Sequence, residues 1–326
     1  MLRTRFTELF GLDYPVMSAP MAMHSGATLA AAVSAAGALG SFGGVNPKGP
    51  DWITEQATAI RAATDRPFAI GFITAFLDFM GPLFEAALAA SPAALALSFG
   101  DAGPWIEKVK ASGIKVIAQV QTHQAADAAV AAGADVLVAQ GTEAGGHTGT
   151  MSLLPFLAAV VERHSQVPVL AAGGIGDGRT LAAALAAGAD GAWLGTAFLA
   201  TPEAVEVQDV QKRLIVESDG TDTVFTRAYD IVSGAPWPAA IGARVHRNPF
   251  TDEWIDREDE LRGRKDEIAA TVNALPGATL DPERDPVYYG QSAAFIHDIR
   301  PAEQVVRSIC DDAEAVLRTR PSTLLH

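Results

Sequence analysis

Residues 14–47 carry no Asp, Glu, Lys or Arg, and glycines and prolines cut this apolar stretch into short pieces. The pieces read as a strand, a helix and a second strand, all buried. The same rhythm runs on to about residue 200. Apolar runs at 15–19, 38–42, 68–73, 94–99, 115–120, 135–140, 167–172 and 191–194 alternate with Ala-rich helical stretches such as 28–36, 124–132 and 180–187. Each run is continuously apolar, the pattern of parallel strands covered by helices. Ala36-Gly37, Ser112-Gly113, Ala132-Gly133 and Ala187-Gly188 stand before four of these runs. Glycine at a helix C-terminus takes the left-handed conformation that turns the chain into the next strand.

Eight such strands predict an α/β fold, a closed (β/α)8 TIM barrel. The alternative, an open doubly wound sheet, lacks its usual signature: Ala19-Pro20-Met21-Ala22 follows the first strand where a Gly-x-Gly-x-x-Gly turn is expected. Beyond Pro202 the strand rhythm fades. Residues 1–202 hold 25 of the 62 charged residues, and 251–267 alone hold 12 in 17 positions, with Glu253/Arg257, Glu258/Arg262 and Glu260/Arg264 spaced as on a solvated helix. Ser233-Gly234-Ala235-Pro236 and Leu275-Pro276-Gly277 read as loop punctuation. The amphipathic stretch 302–317 suits the helix that closes the barrel. These features predict a barrel formed by 1–202 and 285–326, with 203–284 inserted as a small, mainly helical domain on the substrate side.

The net charge of −14 argues against a nucleic-acid or anionic-membrane partner, and an anion must then be held locally by backbone amides. The glycines of 14–47 leave no piece of about 20 residues for a membrane span. One cysteine, Cys310, excludes an internal disulfide, and no Cys/His spacing resembles a metal site. A cytoplasmic location is expected, and a homodimer is compatible with the composition.

In such a barrel, function sits on the loops after the strands. After the sixth comes Gly141-Thr142-Glu143-Ala144-Gly145-Gly146-His147-Thr148-Gly149: an uncluttered loop presenting a histidine able to exchange protons near neutral pH. After the seventh comes Ala171-Ala172-Gly173-Gly174-Ile175-Gly176-Asp177-Gly178, and after the eighth Gly195-Thr196. These two positions commonly bind phosphate through backbone N–H groups. Pro20-Met21-Ala22 offers a flat apolar surface for a ring system. His24 follows the first loop and is placed to reach the mouth, although a solvated loop residue is the favoured reading; Glu143 reads as the organiser of its loop, and His164, His246, His297 and Cys310 as structural or surface groups.

The run from Pro15 to Met21, the run from Val138 to Gly149, and Ala171 to Gly178 with Leu194-Gly195-Thr196-Ala197-Phe198 resemble the nitronate monooxygenase family, formerly called 2-nitropropane dioxygenases. The resemblance implies an FMN-dependent barrel that oxidises alkyl nitronates, and nitroalkanes, with O2 to carbonyl compounds and nitrite. It implies that Gly173, Gly174, Gly195 and Thr196, with Ala172 beside them, hold the FMN phosphate, and that Pro20, Met21 and Ala22 lie along the ring. Gln119, Gln140, Gly145 and Gly146 would line the rest of the flavin edge, and His147 would face a small-molecule substrate as the catalytic group. Tyr288, Tyr289 and Gln291 would contribute to a substrate rim. One position departs: Gly71 stands where relatives usually have Asn. Similar FMN barrels that reduce quinones or enoyl-ACP with NAD(P)H share the Gly-His loop, so such an oxidoreductase is the alternative.

Overall fold

The computed structural model describes residues 2–272 and 279–325. The expected Leu275-Pro276-Gly277 punctuation lies outside them. Eleven strands occur among the described residues: β1 (Val16–Ser18), β2 (Gly40–Gly43), β3 (Phe68–Ile73), β4 (Ala94–Ser98), β5 (Lys115–Val120), β6 (Val136–Gln140), β7 (Gly146–Thr148), β8 (Val169–Ala172), β9 (Gly191–Leu194), β10 (Thr223–Thr226) and β11 (Gly242–His246). Eight form one parallel sheet in the order β1-β9-β8-β6-β5-β4-β3-β2. Leu39 closes it, its N–H donating to Val16 O at 2.9 Å and its carbonyl accepting from Ser18 N at 3.0 Å. The protein is therefore the expected (β/α)8 barrel.

Period-two alternation explains how the barrel interior is filled. Ala69 on β3, Ala94 and Ala96 on β4, Ile117 on β5, Val136 and Val138 on β6, and Leu170 on β8 point inward and pack with Met17 and Trp193. The intervening residues pack outward on the helices. At the N-terminal end the short helix Arg5–Phe10 drives Phe6 into the inner cluster. Arg5 locks it there, its Nη2 lying 2.6 Å from Asp190 Oδ2. One end of the barrel is thus plugged and the other is left for ligands.

The next inward position on each strand follows by the same alternation: Gly71, Ser98, Gln119, Gln140 and Ala172, with Ala19 and Gly195 past the ends of β1 and β9. Strand geometry alone makes these residues the floor of any site at the open end.

The helix Ala302–Leu324 packs between Gly178–Ala186 and Ala27–Ala35, the place left for an eighth barrel helix. Between β9 and that helix the chain runs through short helices, including Asp209–Glu217, Ala228–Ser233 and Glu258–Gly263. It also contains β10 and β11, two strands within the segment expected to be mainly helical. Both are short, and β10 is mostly half-exposed, so neither stands out as a buried apolar run. β11 pairs antiparallel with β10 on one side and with β7, inside the Gly-His loop, on the other. No helix among the described residues is long and apolar enough to cross a membrane.

Candidate active site

A cavity of about 440 Å³ opens at the C-terminal ends of the barrel strands. That is a volume typical of small-molecule and cofactor sites. Its wall brings together Pro20, Met21, Ala22, Gly71, Gln119, Gln140, Gly145, Gly146, His147, Ala172, Gly173, Gly174, Gly195 and Thr196. Tyr288 and Tyr289 also line it, whereas Gln291 is exposed and stands outside the wall.

A chain of amides sets the position of the His147 loop. Gln121 Nε2 donates to Gln140 Oε1, and Gln140 Nε2 donates to the His147 carbonyl, each at 2.9 Å. Glu143 accepts from Leu153 N through both carboxylate oxygens at 3.0 and 3.1 Å, so it organises its loop as the sequence suggests. Arg244 on β11 donates from Nε to Thr142 O at 2.7 Å and ties the loop to the inserted segment. The loop after β8 is fixed by a capping box in which Asp177 and Thr180 satisfy each other's backbone N–H groups.

His147 has partners that no motif in the sequence reveals. Its Nε2 lies 2.8 Å from Asp230 Oδ1, and the two side chains are only 15% and 12% exposed. Trp237 stacks on the imidazole with centroids 3.5 Å apart and planes 13° from parallel. Phe99 meets both rings edge-on. Asp230 and Trp237 belong to the inserted segment, where nothing in the local pattern marks them.

His24 is not the solvated residue expected. It lies in the cavity wall, half-buried, with Nδ1 3.0 Å from Ala22 O and its ring edge-on to Tyr288. Burial lowers its pKa and keeps it neutral, while burial and the nearby Asp230 charge raise that of Tyr288 and keep its hydroxyl protonated. Met23 and Phe99, both in the wall, have φ of 66° and 62°. Such backbone is strained in non-glycine residues and collects at functional sites. The other histidines sit elsewhere: His164 is buried beside Asp127 at 3.0 Å, and His246 Nδ1 lies 2.7 Å from the Tyr289 hydroxyl. Burial pushes the Cys310 thiol up to about 12, the state of an inert core thiol.

Gly71 has a packing reason. A Cβ there would stand 2.2 Å from Pro20 Cγ, so the Pro20 ring fills the space a side chain would need. Gly71→Asn is expected to lower stability by about 1–3 kcal/mol, the usual penalty for overpacking, read as a drop in the thermal midpoint. An unchanged midpoint would mean that Pro20 gives way freely.

The wall also contains an unmet hydrogen-bonding group. Gln119 Oε1 is buried without a partner in the protein, a state that costs about 1–3 kcal/mol unless a ligand donor meets it. Among the described residues no Lys or Arg lines the cavity.

A ligand cavity at the carboxyl ends of eight parallel strands, floored by amides and edged by a histidine that is backed by an aspartate, marks a (β/α)8-barrel enzyme. Comparison with known proteins narrows the class: the nitronate monooxygenase family model matches residues 3–312, and the chain belongs to that family of oxidoreductases. A Mycobacterium tuberculosis protein whose name calls it a monooxygenase, Rv1533, is 42% identical over 179 residues, which are 55% of this chain and 45% of that protein. The structure of FabK from Thermotoga maritima superposes with a TM-score of 0.88 at 32% identity, covering 99% of this chain and 100% of that one. Nitroalkane oxidase from Streptomyces ansochromogenes superposes with a TM-score of 0.75 at 28% identity, covering 97% and 99%.

Proposed function

We propose that this protein is an FMN-dependent nitronate monooxygenase, oxidising alkyl nitronates and their parent nitroalkanes with O2 to carbonyl compounds and nitrite. The observation that carries the reading is that His147 shares one cavity wall with both glycine turns, in a chain of the nitronate monooxygenase family. The unpaired Gln119 Oε1 fits the group, because a flavin ring carries an N–H donor of the kind this acceptor lacks. Gly173, Gly174, Gly195 and Thr196 would hold the phosphate, Pro20, Met21 and Ala22 would underlie the ring, and Gln140, Gly145, Gly146, Gly71 and Ala172 would border it. With no Lys or Arg in the described wall, backbone N–H groups are the donors for that phosphate.

When bound, the flavin supplies electron transfer between substrate and O2. The protein's part is to exclude water, orient the substrate and handle its proton at His147. In this reading 1–202 and 285–326 form the FMN-binding barrel, 203–284 covers the substrate side, and the enzyme works in the cytoplasm.

The second reading is an FMN-dependent NAD(P)H oxidoreductase of quinone or enoyl-ACP reductase type, with which the likeness to FabK is also compatible. Anaerobic mixing separates the two. Purified protein loaded with FMN is expected to bleach on adding an alkyl nitronate and to release nitrite once air is admitted. Rapid bleaching by NADH with none by nitronate would establish the reductase instead, and a protein that takes up no FMN would overturn both.

A further inference from the structure

His147 and Asp230 reach each other from distant parts of the chain. The histidine stands on β7, opposite Ala243 of β11, and the aspartate on the helix Ala228–Ser233. Three constraints fix the imidazole: its backbone in the three-stranded sheet, its face under Trp237, and its Nε2 edge against Asp230 Oδ1. An imidazole that donates through Nε2 carries its neutral lone pair on Nδ1. The second carboxylate oxygen, Oδ2, is buried without a partner, an arrangement that folding alone does not favour.

Nothing else nearby claims the carboxylate. Arg227, at the start of the same helix, pairs with Glu258 at 2.8 Å. Arg244, from β11, is bound to Thr142 O, and Arg264 of the neighbouring charged segment pairs with Glu267. On the cavity side the other titratable groups are Tyr288, Tyr289, Glu206 and neutral His24.

We propose that Asp230 is the positioning residue of this site: it holds His147 in the tautomer whose Nδ1 takes a proton from the carbon α to a nitro group, and it stabilises the imidazolium so formed. The proposal rests on the reading of His147 given above. In the step the α C–H bond breaks, its electron pair forms the C=N bond of the nitronate, the N=O π pair it displaces moves onto a nitro oxygen, and the proton goes to Nδ1. Asp230 stays ionised throughout, and no oxidant is consumed. Asp230 therefore matters for a neutral nitroalkane, which must lose a proton, and not for a nitronate supplied ready-made.

The test has two arms. In protein labelled with 15N-histidine, with His147 assigned through the His147→Gln variant, the neutral imidazole is expected to carry its proton on Nε2. Asp230→Asn, which can turn its NH2 toward that nitrogen, is expected to shift the proton toward Nδ1. In turnover, Asp230→Asn is expected to lower kcat for a neutral nitroalkane by about 10²-fold or more, with KM and preformed-nitronate turnover changed less than about 3-fold. Asp230→Glu is expected to restore part of the loss. A wild-type imidazole protonated on Nδ1 would overturn the proposal, as would equal losses on both substrates. If the wild type turned over neither substrate, the functional reading would fail, and the tautomer measurement on the wild type would still decide the pairing.

Discussion

His147→Ala is expected to lower kcat for a neutral nitroalkane by about 10²–10⁴-fold, the range that a well-placed general base contributes. The fold should survive, because β7 is held by its backbone pairing with β11 and by the Gln140 side chain on the His147 carbonyl, none of which needs the ring. Flavin content should survive too, since the proposed phosphate contacts lie on other loops and Gly145 and Gly146, beside His147, keep their backbone when the imidazole is removed. The variant loses the face on which Trp237 stacks, so some local loosening is expected near 233–240. Nitrite release measured beside the absorption of the bound flavin separates the outcomes. A yellow His147→Ala protein with undiminished nitroalkane turnover would remove His147 from the mechanism.

Gly145→Ala is expected to be the most destabilising single-methyl change in the site. Its Cβ would lie 2.3 Å from the carbonyl carbon of Tyr289 and 2.4 Å from Gly290 N. Both are backbone atoms and neither can swing aside: Gly290 N donates to Thr196 Oγ1, and Gln291 N donates to Glu143 O, each at 3.0 Å. Forced separation of these two crossing segments should cost about 3 kcal/mol or more, the upper end for overpacking. It should also weaken flavin retention, because the strut between the His147 loop and the tail passes through Thr196. The neighbouring Gly146→Ala serves as the control. Its Cβ would meet nothing within 4 Å, and with φ at +73° it should cost only the left-handed backbone penalty of about 1–2 kcal/mol. Thermal unfolding followed by flavin fluorescence measures both, and equal midpoints for the two variants would contradict the strut.

Much of the site was legible before the fold was known. A strand period of two and the alternation of strand and helix are local properties, so the runs around Gln119, Gln140, Ala172 and Gly195 identify which residues emerge at the barrel mouth. The resemblance then gave those residues expected roles. The sequence favours a solvated His24 because its neighbours, Met23 and Ser25, look like an ordinary loop. Only the turn closed by Ser25 Oγ donating to Met21 O at 2.9 Å folds it back into the wall. Gly71 could be seen as a departure but not explained, since Pro20 meets it across two strands that are not neighbours in sequence.

The sequence by itself determined the (β/α)8 barrel, the end of it that carries the site, and the glycine loops and histidine that edge the cavity. All of these follow from short-range patterns of burial and chain reversal. Only the tertiary structure decided what stands against that histidine. Asp230 lies 83 residues further along, in a segment that reads locally as charged helices and loop. It arrives because the inserted segment that carries the helix Ala228–Ser233 also carries β11, which pairs with β7 beside His147. A buried carboxylate aimed at an imidazole is a property of that long-range pairing, and no local periodicity encodes it.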